Sequence, residues 1–202
     1  MRFITDSGRL DDYLAETAEV DYSNPAVSKL ATELRTYAEN DIAFVKNAFE
    51  YVRDRISHSW DIQSSQVTCA ASDTLRHGHG ICYAKSNLLC AILRSCGIPT
   101  GFCYQRLTLG DTPDTGYCIH ALNAVYLPGL GRWIRLDARG NKPGIDARFS
   151  TDEEQLAFPI REAYDEIDYP GIYATPNPKT IAALKQSTDV LEMYRNHLPD
   201  TI

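Results

Sequence analysis

Nowhere does this chain carry an apolar run approaching the roughly 20 residues that a membrane helix requires. Its start, Met1 to Asp11, holds acidic and polar residues with no apolar core, so neither a secretory signal nor a membrane anchor is expected there. It has no Lys/Arg-rich run either. With a net charge of −7 and a pI near 5.2, nucleic acid and anionic membrane surfaces are not the expected partners, and neutral or cationic ligands stay open. The chain lacks internal repeats, low-complexity tracts and linkers, and its 202 residues at 44% hydrophobic content suffice for one well-buried core and are short for two. A single domain over residues 1–202, soluble and cytoplasmic, is therefore expected; the sequence leaves the oligomeric state open.

Cysteine is present but not in a metal or disulfide pattern. Cys69, Cys82, Cys90, Cys96, Cys103 and Cys118 are scattered through apolar segments of a mid-sized chain, which reads as a reduced set. The rival is zinc, since Cys69, His77, His79 and Cys82 are close in sequence. There is no Cys-x2-Cys pair, and histidines two apart beside glycines are ordinary loop residues, so neither metal nor cofactor is expected.

What is there is an ordered series of helix and strand signals. Asn24-Pro25 can cap and start a helix through about Tyr37, and Asn40 or Asp41 a second, in which Ile42, Val45, Phe49, Val52 and Ile56 recur at helical spacing. Residues 57–67 are polar and loop-like, with His58, Trp60 and Asp61; Ser72 or Asp73 then caps a short turn ending at Gly78. From Ile81 to Cys96 the chain is apolar on most faces, a buried central helix stopped by Gly97 and Pro99. Strands are predicted over Thr100–Leu109, Tyr117–Leu127 and Arg132–Ala138, joined by a polar loop at 110–116 and a reversal at Pro128-Gly129-Leu130-Gly131. Helices first and antiparallel strands after make an α+β layout, N-terminal helices and a central helix packed on an antiparallel sheet. Ser150 to Glu153 resembles a capping box for a helix to about Ala157, residues 158–178 read as an extended wrap with room for one more strand, and a last helix is expected from about Thr180 to His197.

Three residues carry chemistry. Cys82 sits in the first turn of the central helix, where the helix dipole and free backbone N–H groups favour thiolate, and an amide N–H beside it can form half of an oxyanion hole. If residues 128–131 form the turn, Leu127 pairs with Arg132 and paired positions sum to an odd number, so His120 and Asp137 share a sheet face as diagonal neighbours. Thiol, imidazole and carboxylate in this order suit a nucleophile, its base and the group that fixes the base's tautomer, reacting through a thioester resolved by water or an amine. The plainer alternatives are a buried helical cysteine and a satisfied strand histidine. Around them, His79 and Tyr83 are candidate substrate contacts, His77 reads as a turn residue, and the acidic stretch Glu162 to Asp168 can border a cleft and favour cationic substrates, with a solvated face as its plainer role.

Gly80-Ile81-Cys82-Tyr83, Ala91 to Pro99, His120-Ala121-Leu122-Asn123-Ala124-Val125 and Trp133 to Gly140 together resemble the transglutaminase-like superfamily of cysteine proteases and acyltransferases. The resemblance spans about residues 72–141 and implies a papain-like core with Cys82, His120 and Asp137 as its triad. Cross-linking members of that family place an oxyanion partner on a tryptophan upstream of the cysteine, and Trp60 is the candidate here, against a core or loop role. Ile81 and Tyr83 stand where those members have Gln and Trp, there is no room for their β-sandwich domains and no calcium loop of spaced carboxylates. The departures point to a compact peptidase or amidase acting on a peptide, protein or small amide, with an arylamine-type N-acetyltransferase and a non-catalytic binding module on the same scaffold as alternatives.

Overall fold

A computed structural model describes residues 3–110 and 112–202 of the protein; Met1 and Arg2 of the N-terminal stretch and Asp111 of the 110–116 loop lie outside the described residues. The first element is a two-residue strand, Ile4–Thr5 (β1), too short to show in periodicity. Two helices follow as their caps predict. Pro25–Thr36 (α1) begins where the Asn24 side chain accepts from the Ala26 amide at 3.0 Å, and Asp41–Arg55 (α2) where Asn40 accepts from the Ala43 amide at 2.9 Å. The apolar stripe of α2, including Phe44, Val45, Phe49 and Val52, is buried.

The stretch read as a loop contains a strand, Ser57–His58 (β2), and the short helix Ala71–His77 (α3) is not capped by its own side chains. Its first amides are satisfied from a distance: Ala71 N donates to the Glu19 carbonyl at 2.9 Å and Ser72 N to Asp21 Oδ1 at 3.0 Å. Gly78, at φ +70°, ends α3 in the left-handed conformation that glycine adopts without a Cβ clash. His79–Gly80 (β3) then pairs in parallel with β2, Ser57 opposite His79 and His58 opposite Gly80.

Cys82–Ser95 (α4) is the central helix, with buried residues on every face. It lies between α1, α2 and α3 on one side and the sheet on the other. Burial this complete takes in Lys85, Asn87 and Arg94, and each meets backbone carbonyls: Arg94 donates to those of Thr100 and Ala174, Asn87 to that of Cys69. Lys85 donates to the carbonyls of Ile56 and Arg53, where the C-terminal end of α2 leaves carbonyls without intrahelical partners. Burial holds its ammonium down, to about 7.

Thr100–Thr108 (β4), Tyr117–Leu127 (β5) and Arg132–Leu136 (β6) form the antiparallel sheet, joined at its edge by Ile167–Asp168 (β7) in the order β6-β5-β4-β7. The β5–β6 register is the one the turn length predicts, Leu127 opposite Arg132 through Asn123 opposite Leu136. β7 is the further strand expected in 158–178, and Gly171–Ile172 (β8) adds another, parallel to β1.

Two local expectations fail for physical reasons. Ser150 Oγ does accept from the amides of Asp152 and Glu153, at 3.2 and 3.1 Å, yet no helix follows. Pro159 disfavours helical backbone at Phe158, and the Ala157 amide is drawn instead to the buried Asp137 carboxylate. The last helix is two, Pro178–Gln186 (α5) and Val190–Asn196 (α6). The break falls at Asp189, whose side chain accepts from the Leu191 and Glu192 amides at 2.7 and 3.0 Å and so starts a new helix.

Candidate active site

The site begins at the N-terminal end of α4. Ile81 precedes the helix in extended conformation without a side-chain cap, and Lys85 N is the first amide to find a helical carbonyl, that of Ile81 at 3.0 Å. The amides of Cys82, Tyr83 and Ala84 therefore lack intrahelical partners, and the positive end of the helix surrounds the Cys82 side chain. Gly80 permits the close approach of β3: a Cβ there would stand 2.9 Å from Ala84 Cβ and 3.0 Å from Thr68 Oγ1.

The sheet brings the other two residues together. His120 on β5 and Asp137, the residue after β6, are diagonal neighbours on one face, and Nε2 of the imidazole lies 2.8 Å from Asp137 Oδ2. The carboxylate is fully enclosed and accepts twice more, from Ala157 N at 3.0 Å and Arg139 N at 3.1 Å. Burial disfavours its charge, but the His120 charge and these donated bonds outweigh burial and hold Asp137 below the usual carboxylate range. For His120 burial is also the largest single influence and pushes downward; the Asp137 and Cys82 charges and hydrogen bonds to both reverse it, raising the imidazole to about 10. With Nε2 taken by Asp137, Nδ1 is the nitrogen left for the Cys82 sulfur. The Phe158 ring meets the imidazole edge-on at 5.1 Å and fixes its plane.

Cys82 is 8% exposed, and with His120 it lines a cavity of about 690 Å³. The other five cysteines are all free thiols pushed up by burial: Cys69 and Cys90 to about 11, Cys103 and Cys118 to about 12, and Cys96 in the same direction. Among the described residues no group of three or more His, Cys, Asp or Glu side chains is arranged to hold a metal ion.

The candidate substrate contacts divide. Trp60 lines the cavity, stacked on Tyr194 with ring centroids 4.5 Å apart. Tyr83 touches the cavity wall, but its ring is buried and its hydroxyl donates to the Ile119 carbonyl at 2.7 Å, so it supports β5. His79 does not line the cleft: its ring is held between Ser59 Oγ at 2.9 Å and Ser64 Oγ at 3.3 Å. His77 turns back on Asp73 of its own helix.

Several lining residues escaped the sequence reading. His58, Tyr194 and Arg195 reach the cavity from β2 and α6, brought there by long-range packing that no local pattern announces. Of the acids in Glu162–Asp168, only Glu166 lines the cavity, and Glu162 and Asp165 are exposed, the plainer of the two roles expected for this stretch. Glu166 is buried against Arg161 at 2.7 Å and Asp168 is taken by Arg135 at 2.6 Å, so neither offers free negative charge. Arg139 and Lys142 both pair with Asp61, at 2.5 and 2.6 Å. Arg195 lies over the Trp60 ring at 5.8 Å and has no carboxylate partner among the described residues.

Comparisons with known proteins agree with this architecture. A family model, the transglutaminase-like superfamily, matches residues 28–138. Among solved structures, a candidate cysteine protease from Cytophaga hutchinsonii is 21% identical with a TM-score of 0.53, covering 66% of this chain and 43% of that one. The periplasmic domain of TgpA from Pseudomonas aeruginosa is 19% identical with a TM-score of 0.47, covering 62% of this chain and 45% of that one. The chain thus spans less than half the length of both. No curated protein matches it.

Proposed function

The chain belongs to the transglutaminase-like superfamily, whose match takes in residues 28–138 of its 202, and from that premise we propose that it is a cysteine-dependent amide hydrolase or acyl transferase with Cys82 as nucleophile. The observation that carries the reading is the enclosed His120–Asp137 contact at 2.8 Å on the wall of the cavity that Cys82 enters from the start of α4. In the proposed reaction the Cys82 sulfur forms a bond to the substrate carbonyl carbon and the carbonyl electron pair moves onto oxygen. As that pair returns, the C–N bond breaks and His120 gives its proton to the departing amine, leaving a thioester on Cys82. Water or an amine, deprotonated by His120, then attacks the thioester and expels the sulfur. Asp137 holds the imidazole with Nδ1 toward the sulfur throughout and balances its charge. The substrate is a peptide, a protein or a small amide. No helix among the described residues is long and apolar enough to cross a membrane.

The test is a limiting amount of iodoacetamide at neutral pH followed by peptide mapping. Cys82 is expected to take up the label first, because burial or partial burial pushes the other five thiols up; an ordinary exposed thiol, near pKa 8.5, gives the reference rate. Labelling of Cys82 no faster than that reference, or unchanged in His120→Ala, sinks the proposal. Incubation with acetyl-CoA and intact mass measurement separates the acetyltransferase alternative, which requires an acetyl adduct on Cys82. Full biological activity in Cys82→Ala would instead select the non-catalytic module.

A further inference from the structure

We propose that His58 donates the second hydrogen bond to the oxyanion formed when the Cys82 sulfur attacks a carbonyl, opposite the Cys82 backbone N–H. This assignment rests on the reading of Cys82 as the nucleophile. It begins with position: β2 is fastened to the segment that leads into Cys82, Ser57 N to Gly78 O at 2.9 Å and Ser59 N to Gly80 O at 3.2 Å, with His58 opposite Gly80. His58 is thereby fixed to the backbone two residues before the nucleophile, and it lines the same cavity as Cys82 and His120.

The ring's hydrogen bonding is the second observation. His58 is 4% exposed, and neither of its nitrogens has a hydrogen-bond partner among the described residues; Nδ1 is enclosed altogether. An enclosed polar atom without a partner costs about 1–3 kcal/mol, so this arrangement persists against a real penalty. The neighbouring ring is Tyr194, met edge-on at 6.2 Å, which supplies packing and no hydrogen bond. A neutral imidazole carries one proton, and a proton on the enclosed Nδ1 would be a buried donor with no acceptor. The proton belongs on Nε2, the nitrogen left to meet the cavity.

The charge state fits the role. Burial holds the His58 imidazole well below its ordinary range, and Arg139, Lys85 and His120 push the same way against the opposing influence of Asp61. At neutral pH His58 is uncharged, so it neither competes with His120 for a proton nor repels an imidazolium there. A neutral imidazole is an effective donor to a developing oxyanion in a site that excludes water. No proton changes hands: as the C–S bond forms, the carbonyl pair shifts to oxygen and is met by the two N–H groups, and as it returns the leaving group departs. Trp60, the upstream tryptophan, is engaged otherwise, stacked on Tyr194 and met by the Arg195 guanidinium as a wall of the cleft.

The experiment separates an oxyanion donor from a structural residue by using two reagents on Cys82 of the full-length protein. p-Nitrophenyl acetate acetylates the sulfur through a tetrahedral oxyanion and is read as a p-nitrophenolate burst with the adduct verified by mass. Iodoacetamide alkylates the same sulfur by displacement at a saturated carbon, with no oxyanion at all. In His58→Phe the acetylation rate is expected to fall about 100-fold or more, while alkylation stays within about twofold of wild type. His58→Gln, whose amide can donate, is expected to recover part of the loss. A parallel fall of both rates in His58→Phe and His58→Gln, an undiminished acetylation rate in both, or the same acetylation-specific loss in Trp60→Phe alone would overturn the assignment. Wild-type protein in which Cys82 reacts with neither reagent would bring down the nucleophile reading, and the role of His58 with it.

Discussion

Replacing Asp137 by Asn removes one charge and leaves the shape almost unchanged, which isolates the electrostatic half of the His–carboxylate contact. The imidazole stands at about 10 against 6.5 for an unperturbed histidine, and at about 1.4 kcal/mol per pKa unit this is roughly 5 kcal/mol in favour of imidazolium. Burial opposes the charge and the Cys82 sulfur supports it, so without the carboxylate His120 is expected to titrate well below its wild-type value. Asn also offers one acceptor oxygen where the carboxylate's two oxygens receive bonds from His120, Ala157 N and Arg139 N. The sign of the stability change follows from the raised pKa. His120's contribution is fully present below about pH 6.5 and is lost as pH climbs through about 10, while that of Asp137, whose pKa is lowered, is present above about 3.8 and is lost as pH falls through its folded value. These are two views of one interaction and count once. The assay is ring-nitrogen NMR of histidine across pH, with His120 assigned by its disappearance in His120→Gln, together with denaturant unfolding at pH 6, 8 and 10. Wild type is expected to show a ring titrating near 10 and a loss of stability between pH 6.5 and 10, and Asp137→Asn to show neither. A wild-type His120 titrating near 6.5, or an Asp137→Asn ring that still titrates near 10, refutes the account.

Other consequences are quicker to check. Gly80→Ala sets a Cβ 2.9 Å from Ala84 Cβ and 3.0 Å from Thr68 Oγ1, so a loss of about 1–3 kcal/mol in urea unfolding is expected, accompanied by slower Cys82 labelling because β3 and the start of α4 must separate. Leu89→Ala, in the fully buried middle of α4, should cost about 2–5 kcal/mol by the same measurement. Arg195→Ala removes a cavity cation that has no carboxylate partner among the described residues, and kcat/KM for an acyl donor bearing a carboxylate is expected to fall about tenfold relative to its neutral amide counterpart; an equal effect on both would show the guanidinium serves only to pack on Trp60.

What the sequence makes legible is what short-range chemistry decides. Asn24 and Asn40 cap α1 and α2 as their type and position predict, and the four residues from Pro128 to Gly131 set the register that lays His120 and Asp137 on one face. Cys82 is found at the first position of α4 because glycine at 78 and 80 and an apolar run afterwards leave the helix no other start. The misreadings have the opposite character. α3 is capped by Glu19 and Asp21, some fifty residues earlier, and Ser150 offers a cap to a helix that Asp137 and Pro159 prevent. Between Gln186 and Val190 an Asp that suits either a helix surface or an N-cap takes the second role, and only the packed structure decides between them.

The same distinction runs through the site itself. The proposed nucleophile Cys82 and its two proposed supporting residues lie on or next to elements whose local pattern is strong, a buried helix and a long hairpin, and helix position and strand parity place them. The rest of the cleft depends on two-residue strands and on α6, elements with too few residues to carry a period: β2 brings His58 beside the nucleophile's segment through a parallel pairing, and α6 brings Tyr194 and Arg195 over Trp60 from the far end of the chain. Charge follows the same rule: of the acids in residues 162–168, Glu162 and Asp165 form a solvated face, while Glu166 and Asp168 are taken by Arg161 and Arg135, which only the packed structure shows. A reading from local pattern therefore reaches the groups that would break and form bonds, while those that would select the substrate and hold its oxyanion come into view only when distant segments are packed together.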